Sequence, residues 1–574
     1  MGTNGVQAAD RAFMALACAL ACWLLASLYL VNIEFDDGYA TIANSQYFLG
    51  LSDYYYWQRG PLMAWLLLPA EWMANLLDLH PLDVRPHHLV TVLLHLGYVA
   101  GVWMILRRHH GAGLPALLAF TAAVPTVLFF SYAPFVSHDL MPGLALLWML
   151  LRARTYLLAP SGRDLWLLAT VGAAVVLVKQ TYAAFWVVVL LAQMTWLPRA
   201  TEGRRDWLRR WAALCGAALA SACVAWLGYA WVLASSFPDS FWLIRPWLQA
   251  QTITRLYEDG AGSISAMFYQ RVYLRNLHAY GVLAMALIAP GLWFSLAAKD
   301  TLLRSVAVAW ILMFLLVLCI PFKEVRYLGF LAPLTAMLIV PGIEALLRLR
   351  WNYVWGLVLI LAVDLYGVGT EAWRITDPYY RSVVPAFLGA LPSASPPPEP
   401  VVFVGRLSFV DHVHPAFYGD RYHRITHLVD TQVRDLFRYP RDRLRQVGDP
   451  RSLDADDFEP GQILIFSNDF AARVPPIRRD NATTLQPDFA QLLAVAERVE
   501  LRLQGGQYRL SAASILPTML LPKAGSSSNP LTAFDRFDAK AVAAMLGIAN
   551  PPEQLTVLAF RIRALCNLQG CRQF

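Results

Sequence analysis

The sequence is poor in charge for its length. Only 15% of the 574 residues are Asp, Glu, Lys or Arg, whereas a soluble globular domain carries about 25%. Hydrophobic residues make up 57%. This balance excludes an ordinary soluble enzyme and predicts an integral membrane protein. The chain also lacks a Gly-rich phosphate-binding loop and a visible internal repeat, which argues against a nucleotide-sugar donor and against a repeat-built fold.

Cysteine is scarce as well, with seven residues in two groups. Five lie in apolar runs, which is typical of small buried side chains, namely Cys18, Cys22, Cys215, Cys223 and Cys319. Cys566 and Cys571 lie in a polar stretch near the C-terminus, where they could close a small disulfide loop in an oxidising compartment. The sequence leaves that pairing open.

The net charge is +7, and we interpret it as loop charge facing an anionic lipid leaflet, with no nucleic-acid partner. Apolar runs predict about eleven membrane-spanning helices, near residues 13–32, 88–106, 114–132, 139–158, 165–178, 181–197, 211–234, 280–297, 305–321, 328–347 and 353–370. Basic residues follow alternate runs. If the N-terminus is cytoplasmic, all these clusters share the cytoplasmic side. We therefore expect a multi-pass protein of the inner (cytoplasmic) membrane with an extracytoplasmic C-terminal region.

These patterns predict a polytopic α-helical membrane protein with a C-terminal extracytoplasmic α/β domain. Residues 1–372 form the transmembrane part, whose first outer loop, 33–87, carries amphipathic helices near 39–51 and 61–77. Residues 373–400 form a Pro-rich linker, and 401–574 a soluble domain and tail. Within that domain we expect strands at Val401–Val404 and Ile463–Phe466, a helix at 489–497 and a hairpin that pairs 499–503 with 507–510.

Two adjacent carboxylates, Asp36 and Asp37, come directly after the first apolar run. They could be a solvated helix end or a catalytic pair. Other ionisable residues in apolar context fall on the same predicted side, namely Arg59, His138, Asp139, Lys179, Lys323, Glu324 and Arg326. Charge near the membrane is costly unless it pairs or binds something. Carboxylates that activate a hydroxyl, with cations that hold a phosphate, point to group transfer.

The stretch Phe35-Asp36-Asp37-Gly38-Tyr39 resembles the acidic motif that ends the first span of GT-C glycosyltransferases. It is most similar to the branch of the protein O-mannosyltransferases and the lipid A aminoarabinose transferases. Further segments resemble that branch in the same order, namely Gln58-Arg59-Gly60-Pro61-Leu62, with Gly60 where Pro is usual, Ser137-His138-Asp139-Leu140, Val176-Leu177-Val178-Lys179-Gln180, and Lys323-Glu324-Val325-Arg326-Tyr327 followed by Pro333.

The resemblance implies transfer of one sugar, a hexose or a pentose, from a polyprenyl-phosphate donor to an acceptor hydroxyl, with inversion. Asp36 would be the general base, and Asp37 would orient it, bind the sugar or take part in a cation site. The donor phosphate would be held by Arg59, Lys179, Lys323 and Arg326. The sugar, lipid or acceptor would contact Tyr39, Tyr56, Trp57, His138, Asp139 and Tyr327.

No cofactor is required by this resemblance, although a divalent metal held by Asp36, Asp37, His138 and Asp139 is an open alternative. The aromatic cluster has an alternative too, because Tyr54 and Tyr55 would also suit an interfacial belt. The acceptor could be a glycolipid, a polysaccharide or a protein. Two other functions compete, a transporter or flippase of a lipid-linked substrate and a non-catalytic envelope assembly subunit. Charges at one interface and the lack of a repeat favour the transferase.

Overall fold

The protein is a helical membrane protein. The computed structural model describes residues 3–32, 34, 36–50, 55, 59–79, 83–196, 201–236, 281–298, 300–319, 325–376 and seven strands between 401 and 573. Within these residues the α-helices are α1 (Thr3–Leu30), α2 (Asp36–Phe48), α3 (Pro61–Leu76), α4 (Arg85–His110), α5 (Leu114–Ala123), α6 (Val127–Tyr132), α7 (Met141–Leu158), α8 (Gly162–Val178), α9 (Ala184–Gln193), α10 (Thr201–Ser236), α11 (Val282–Ala297), α12 (Thr301–Cys319), α13 (Ala332–Leu349) and α14 (Tyr353–Arg374). Short 3-10 helices lie at Gln180–Ala183, Met194–Trp196 and Val325–Leu331.

Most predicted spans coincide with helices. In the described part of the chain, five helices are long and apolar enough to cross a membrane, namely Gln7–Leu30, Arg85–His110, Gly203–Val232, Thr301–Leu318 and Tyr327–Leu349. Shorter apolar helices lie at Leu114–Ala123, Gln180–Gln193, Val282–Ala297 and Tyr353–Gly369. The total of eleven spans therefore stays a prediction.

One predicted span, 114–132, is wrong as a single helix. The chain breaks between α5 and α6 at residues 124–126. Pro125 has no N–H to donate, and Thr126 leaves the helical conformation, with φ −92° and ψ 171°. Thr126 then starts α6 as its N-cap, and its side chain accepts a hydrogen bond from the Phe129 amide at 3.4 Å. The apolar run continues through the break, which is why hydrophobicity alone misses it.

The two helices predicted in the first outer loop are confirmed as α2 and α3. Pro61 occupies the first turn of α3, where its missing N–H costs nothing, and Gly60 is the N-cap. α3 packs against α2, α4 and α8 with one face. Its exposed side chains include the apolar Trp72 and Leu76, whereas Glu71 is buried, so the structure does not show the polar outer face predicted for an amphipathic helix. Their position on a membrane surface stays a prediction.

Because of the directions in which the helices run, the predicted motifs lie together at one end of the bundle. α1 packs against α4 and α12 against α13, and each of these two pairs is joined near the same end. α7 packs against α8 and is joined to it at the opposite end, so the start of α7 and the end of α8 lie with the first two connections. The segments 31–37, 59–60, 133–140, 178–183 and 325–331 lie there, and we call it the motif end. Arg107, Arg152 and Arg348 lie toward the opposite end, which we call the basic end.

The described strands form two sheets. The larger has the order β2 (Leu444–Val447), β1 (Val401–Val404), β3 (Ile463–Phe466), β5 (Leu555–Arg561), β4 (Glu497–Leu503). β1 is parallel to β2 and β3, whereas β5 is antiparallel to β3 and β4. The smaller is a hairpin of β6 (Ala564–Asn567) and β7 (Gly570–Gln573), whose register sets Cys566 opposite Cys571.

The predicted strands at Val401–Val404 and Ile463–Phe466 are confirmed. β4 includes the predicted strand 499–503, and its described partner is β5. The partner predicted for it, 507–510, lies outside the described residues, as do 489–496 of the predicted helix and most of the linker 373–400. The division into a transmembrane part and a separate α/β domain therefore stays a prediction.

Candidate active site at the motif end

The acidic motif lies at the start of α2. Asp36 and Asp37 are the first two residues of this helix, a place where acidic residues are favoured because the helix dipole is positive there. Tyr39 follows in the first turn. The side chains of Asp36, Asp37 and Tyr39 lie outside the described set, so their predicted roles are untested.

Glu34, immediately before the motif and two positions before Asp36, connects it to two other segments. Its side chain is fully buried. Glu34 Oε2 lies 2.9 Å from Nε2 of His88, near the start of α4, and accepts a hydrogen bond from the Val136 amide at 2.7 Å. A Cβ at Gly38 would overlap the Glu34 carboxyl group. The glycine of the motif therefore leaves the space that this carboxylate occupies.

The second acidic turn lies next to Val136. His138 and Asp139 are both buried, and His138 Nε2 lies 3.9 Å from Asp139 Oδ1. The Tyr182 hydroxyl approaches Asp139 Oδ1 at 3.4 Å. Because Tyr182 belongs to the 3-10 turn that follows Lys179, this contact joins the second acidic turn to the predicted phosphate-binding segment.

The two predicted phosphate-binding segments around Arg59 and Lys179 meet through their backbones. The Gly60 amide donates to the Val178 carbonyl oxygen at 3.0 Å, and a Cβ at Gly60 would overlap the Leu177 carbonyl oxygen. Only a residue with an N–H and no Cβ fits both conditions. This explains why glycine stands here in place of the proline of the resembling family, since proline has a ring and no N–H. Arg59 itself is mostly buried.

Lys179 reaches a third segment. It ends α8 in an extended conformation, with φ −159° and ψ 130°, and its Nζ lies 5.0 Å from the centroid of the Tyr327 ring. This distance suits a cation–π interaction. Tyr327 in turn stacks on Phe330 with centroids 6.5 Å apart. Lys323 and the side chain of Arg326 lie outside the described residues.

The structure corrects the alternative interpretation of Tyr55 as part of an aromatic belt at the membrane interface. Its side chain is fully buried, and its ring contacts Tyr47 and Phe48 with centroids 5.6 and 5.8 Å away. Burial raises the pKa of Tyr55 well above its usual value, so the hydroxyl stays protonated and donates to the Arg59 carbonyl oxygen at 2.9 Å. Tyr55 therefore supports Arg59 from inside the protein. Tyr54, Tyr56 and Trp57 lie outside the described residues.

All five motif segments are thus connected by described contacts. Sequence reasoning missed the residues that make several of these connections, namely Glu34, Tyr55, His88 and Tyr182. Glu34 offered a signal, because it is an acidic residue at the end of an apolar run. The others carry no signal that separates them from ordinary interior or interfacial residues.

Metal binding at this site stays an untested prediction. Within the described residues, no three His, Cys, Asp or Glu side chains are grouped so that they could hold a metal ion. The predicted set includes Asp36 and Asp37, whose side chains are outside that description. His138 and Asp139 alone do not make a metal site.

The fold is similar to that of ArnT from Cupriavidus metallidurans. The apo crystal structure of ArnT matches 81% of this chain and 94% of its own, with 15% identity and a TM-score of 0.51. ArnT bound to undecaprenyl phosphate matches 83% of this chain and 95% of its own, with 14% identity and a TM-score of 0.47. The oligosaccharyltransferase AglB from Archaeoglobus fulgidus, in complex with an inhibitory peptide and a dolichol-phosphate, matches 71% of this chain and 64% of its own, with 12% identity and a TM-score of 0.41.

No protein-family model matches the sequence, and no curated protein matches it. At 15% identity the similarity to apo ArnT is one of fold, and it extends over most of both chains. The protein therefore has the fold of ArnT.

Proposed function

We propose that this protein is a membrane glycosyltransferase of the GT-C class that uses a polyprenyl-phosphate sugar donor. One observation carries the proposal: segments that resemble the GT-C motifs, far apart in sequence, are joined at one end of a helix bundle with the ArnT fold. ArnT is a GT-C lipid A aminoarabinose transferase, and one of its structures contains undecaprenyl phosphate. A shared fold alone does not transfer an activity, so the proposal depends on the site residues.

The cations would bind the donor phosphate. Arg59 and Lys179 are neighbours through the Gly60–Val178 hydrogen bond. Arg326 belongs to the 3-10 segment that Lys179 reaches through Tyr327, and Lys323 precedes that segment in the sequence. When the sugar leaves, the polyprenyl phosphate gains negative charge on the oxygen that had been bonded to the sugar. Positive groups placed there stabilise that charge in the transition state.

The first acidic motif would activate the acceptor. In the proposed reaction the acceptor oxygen attacks the anomeric carbon from the face opposite the phosphate. A carbon–oxygen bond forms as the bond to the phosphate oxygen breaks, so the configuration inverts. Asp36 takes the proton of the attacking hydroxyl, and Asp37 orients Asp36 or binds the sugar. The sugar, lipid or acceptor would contact Tyr39, Tyr56, Trp57, His138, Asp139 and Tyr327.

We place the motif end on the extracytoplasmic face of the cytoplasmic membrane, with the N-terminus in the cytoplasm. Support comes from the basic end, which gathers Arg107, Arg108, Arg152, Arg154 and Arg348. Positive residues near membrane spans are retained on the cytoplasmic side. A donor carried by a polyprenyl lipid suits a site at the membrane surface.

The deciding experiment measures polyprenyl phosphate release. Purified protein in lipid nanodiscs is incubated with polyprenyl-phosphate sugars and envelope acceptors, and mass spectrometry follows both products. We expect release coupled to acceptor glycosylation. Flipping of the donor without release would show a transporter, and neither release nor flipping with any donor would overturn the proposal in favour of an assembly subunit.

A further inference from the structure

Two buried acid–histidine pairs begin α4 side by side. His87 Nε2 lies 2.7 Å from Glu71 Oε1, and His88 Nε2 lies 2.9 Å from Glu34 Oε2. Each of these four side chains is at most 3% exposed. Successive residues of a helix point about 100° apart, so the two histidines reach different elements. A buried carboxylate is costly unless it is hydrogen-bonded or paired, and each histidine provides that partner.

The second partner of each carboxylate separates their roles. Glu71, on α3, accepts from the Ser45 hydroxyl at 2.8 Å, so this pair joins α3 and α4 to the third turn of α2. Glu34 accepts from the Val136 amide at 2.7 Å, so the other pair joins α4 to the turn before α7. The chemistry is the same, but only the Glu34 pair contacts both acidic segments of the candidate site.

Glu34 is adjacent to both acidic segments. Glu34 is two positions before Asp36 along the chain, and its carboxyl group packs against Gly38 of the same motif. Val136, which donates to it, lies two residues before His138. A short chain has little freedom to move when one end is held. The Glu34 carboxylate therefore limits how far the start of α2 can shift relative to the His138–Asp139 turn.

We propose that Glu34 and His88 are a positioning pair for the transfer reaction, holding the Asp36–Asp37 segment against the His138–Asp139 turn. This inference rests on the proposed function. Glu34 and His88 do not contact the reacting atoms in this scheme. His88 holds the Glu34 carboxylate in place, and Glu34 holds the two acidic segments in register. Misplacement of a catalytic group by about 1 Å can reduce the rate roughly 100-fold.

The test compares Glu34→Ala with Glu71→Ala, which removes the carboxylate of the neighbouring pair, whose histidine is adjacent to His88 in α4. Glu34→Ala should lower kcat by roughly 10- to 100-fold and leave the KM for the donor nearly unchanged. Glu71→Ala should lower the thermal unfolding midpoint at least as much and change kcat much less. Equal losses of kcat in the two variants would overturn the inference, because they would indicate general destabilisation.

His88 supplies a conservative variant. His88→Gln keeps a side-chain N–H that can donate to Glu34, whereas His88→Leu keeps bulk without a donor. We expect His88→Gln to retain most of the kcat that His88→Leu loses. If the two variants have the same kcat, His88 is not holding Glu34 through its hydrogen bond and the inference fails.

Hydrogen exchange gives a readout that does not need activity. Glu34→Ala should speed amide exchange in peptides covering 133–140 and the start of α2, whereas Glu71→Ala should not affect 133–140. Unchanged exchange there would overturn the positioning role even if the variant were inactive. The proposed function fails separately, when the unaltered protein releases no polyprenyl phosphate or when Asp36→Asn keeps full activity.

Discussion

The two ends of the helix bundle differ in how far their charged side chains are exposed. At the basic end, Arg107 pairs with Asp10 at 3.0 Å and Arg152 with Asp164 at 2.9 Å, and the arginines are 56% and 38% exposed. At the motif end, Glu34 and His88 are 0% exposed. Exposed pairs contribute little to stability, typically about 0–1 kcal/mol. Buried groups need specific partners, so their arrangement is set by the fold.

This difference separates the charges that indicate the orientation of the protein in the membrane from those that indicate a functional site. Charge at the basic end needs only to be positive and close to the spans, so its exact partners matter little. Charge at the motif end is held through hydrogen bonds to backbone and side chains of several elements. Intramembrane and juxtamembrane charges in such surroundings are functional candidates. The comparison can be tested with matched substitutions at the two ends.

The largest contrast is expected between Asp36→Asn and Asp10→Asn. Asp36→Asn removes the proposed base and should reduce transfer by roughly 10²- to 10⁴-fold, since that is the usual contribution of general base catalysis. Asp10→Asn weakens an exposed pair at the basic end and should leave transfer unchanged. Product formation by mass spectrometry, with binding of the donor measured separately, distinguishes the two. Full activity of Asp36→Asn would refute the base assignment.

The next contrast is between Gly60→Ala and Gly162→Ala, which lie near opposite ends of α8. A Cβ at Gly60 would overlap backbone oxygen, whereas nothing lies within 4 Å of the Cβ position at Gly162. Gly60→Ala should cost about 1–3 kcal/mol in free energy of unfolding through overpacking and weaken donor binding by shifting Arg59.

Gly162→Ala is the control and should be neutral or slightly stabilising, because alanine is favoured over glycine in a helix. Urea denaturation in detergent and a donor-binding assay measure both effects. If Gly60→Ala binds donor and unfolds like the unaltered protein, the close approach of Arg59 and Lys179 is not needed.

A smaller contrast compares Lys179→Met with Arg152→Met. Loss of a charged hydrogen bond to phosphate costs about 1.5–3 kcal/mol, so Lys179→Met should weaken polyprenyl phosphate binding at least about tenfold. Arg152 contacts the Trp148 ring and Asp164 at the basic end, and Arg152→Met should change stability by no more than about 1 kcal/mol and not affect binding. Competition by polyprenyl phosphate against a labelled donor provides the measurement. Equal affinity of both variants would remove Lys179 from the donor site.

The smallest effect concerns orientation. The β6–β7 register places Cys566 directly opposite Cys571, and opposed residues of an antiparallel pair have Cα separations of about 4.5–5.5 Å, within disulfide range. We expect a disulfide if this hairpin is on the same oxidising side as the motif end, with little effect on turnover when both are changed to Ser. Thiol labelling with and without reductant, in a variant whose other five cysteines are replaced, checks it. Two freely labelled thiols in cells would contradict the predicted location.

Much of the helical fold could be predicted from local patterns. Apolar runs predict helices because a segment that spans lipid must satisfy its backbone hydrogen bonds internally. The Gly60-Pro61 start of α3 follows from proline chemistry in the same way. The break at Pro125 was missed because the apolar composition continues across it, and the proline effect on a single turn is outweighed in any average over twenty residues.

The site was predicted only in part, because the sequence offered motifs without their connections. Glu34 and His88 are 54 residues apart, and Glu34 and Val136 are 102 residues apart. For Tyr55 the sequence left an interfacial belt open as an alternative, because an aromatic side chain near a membrane suits the surface and the interior equally well. Burial and a hydrogen bond to Arg59 decided that case.

The sequence by itself determined that this is a membrane protein of many apolar helices. It also determined the order of the motifs along the chain and the concentration of charge outside the spans. These are local properties, set by the length and composition of each run. The tertiary structure decided which of the charged groups meet. That depends on the packing of helices from distant parts of the chain, which brought Glu34 to His88 and Val136, and Gly60 to Val178. The reason is physical: a buried charge must find its hydrogen-bond partner in three dimensions, and only the fold supplies one.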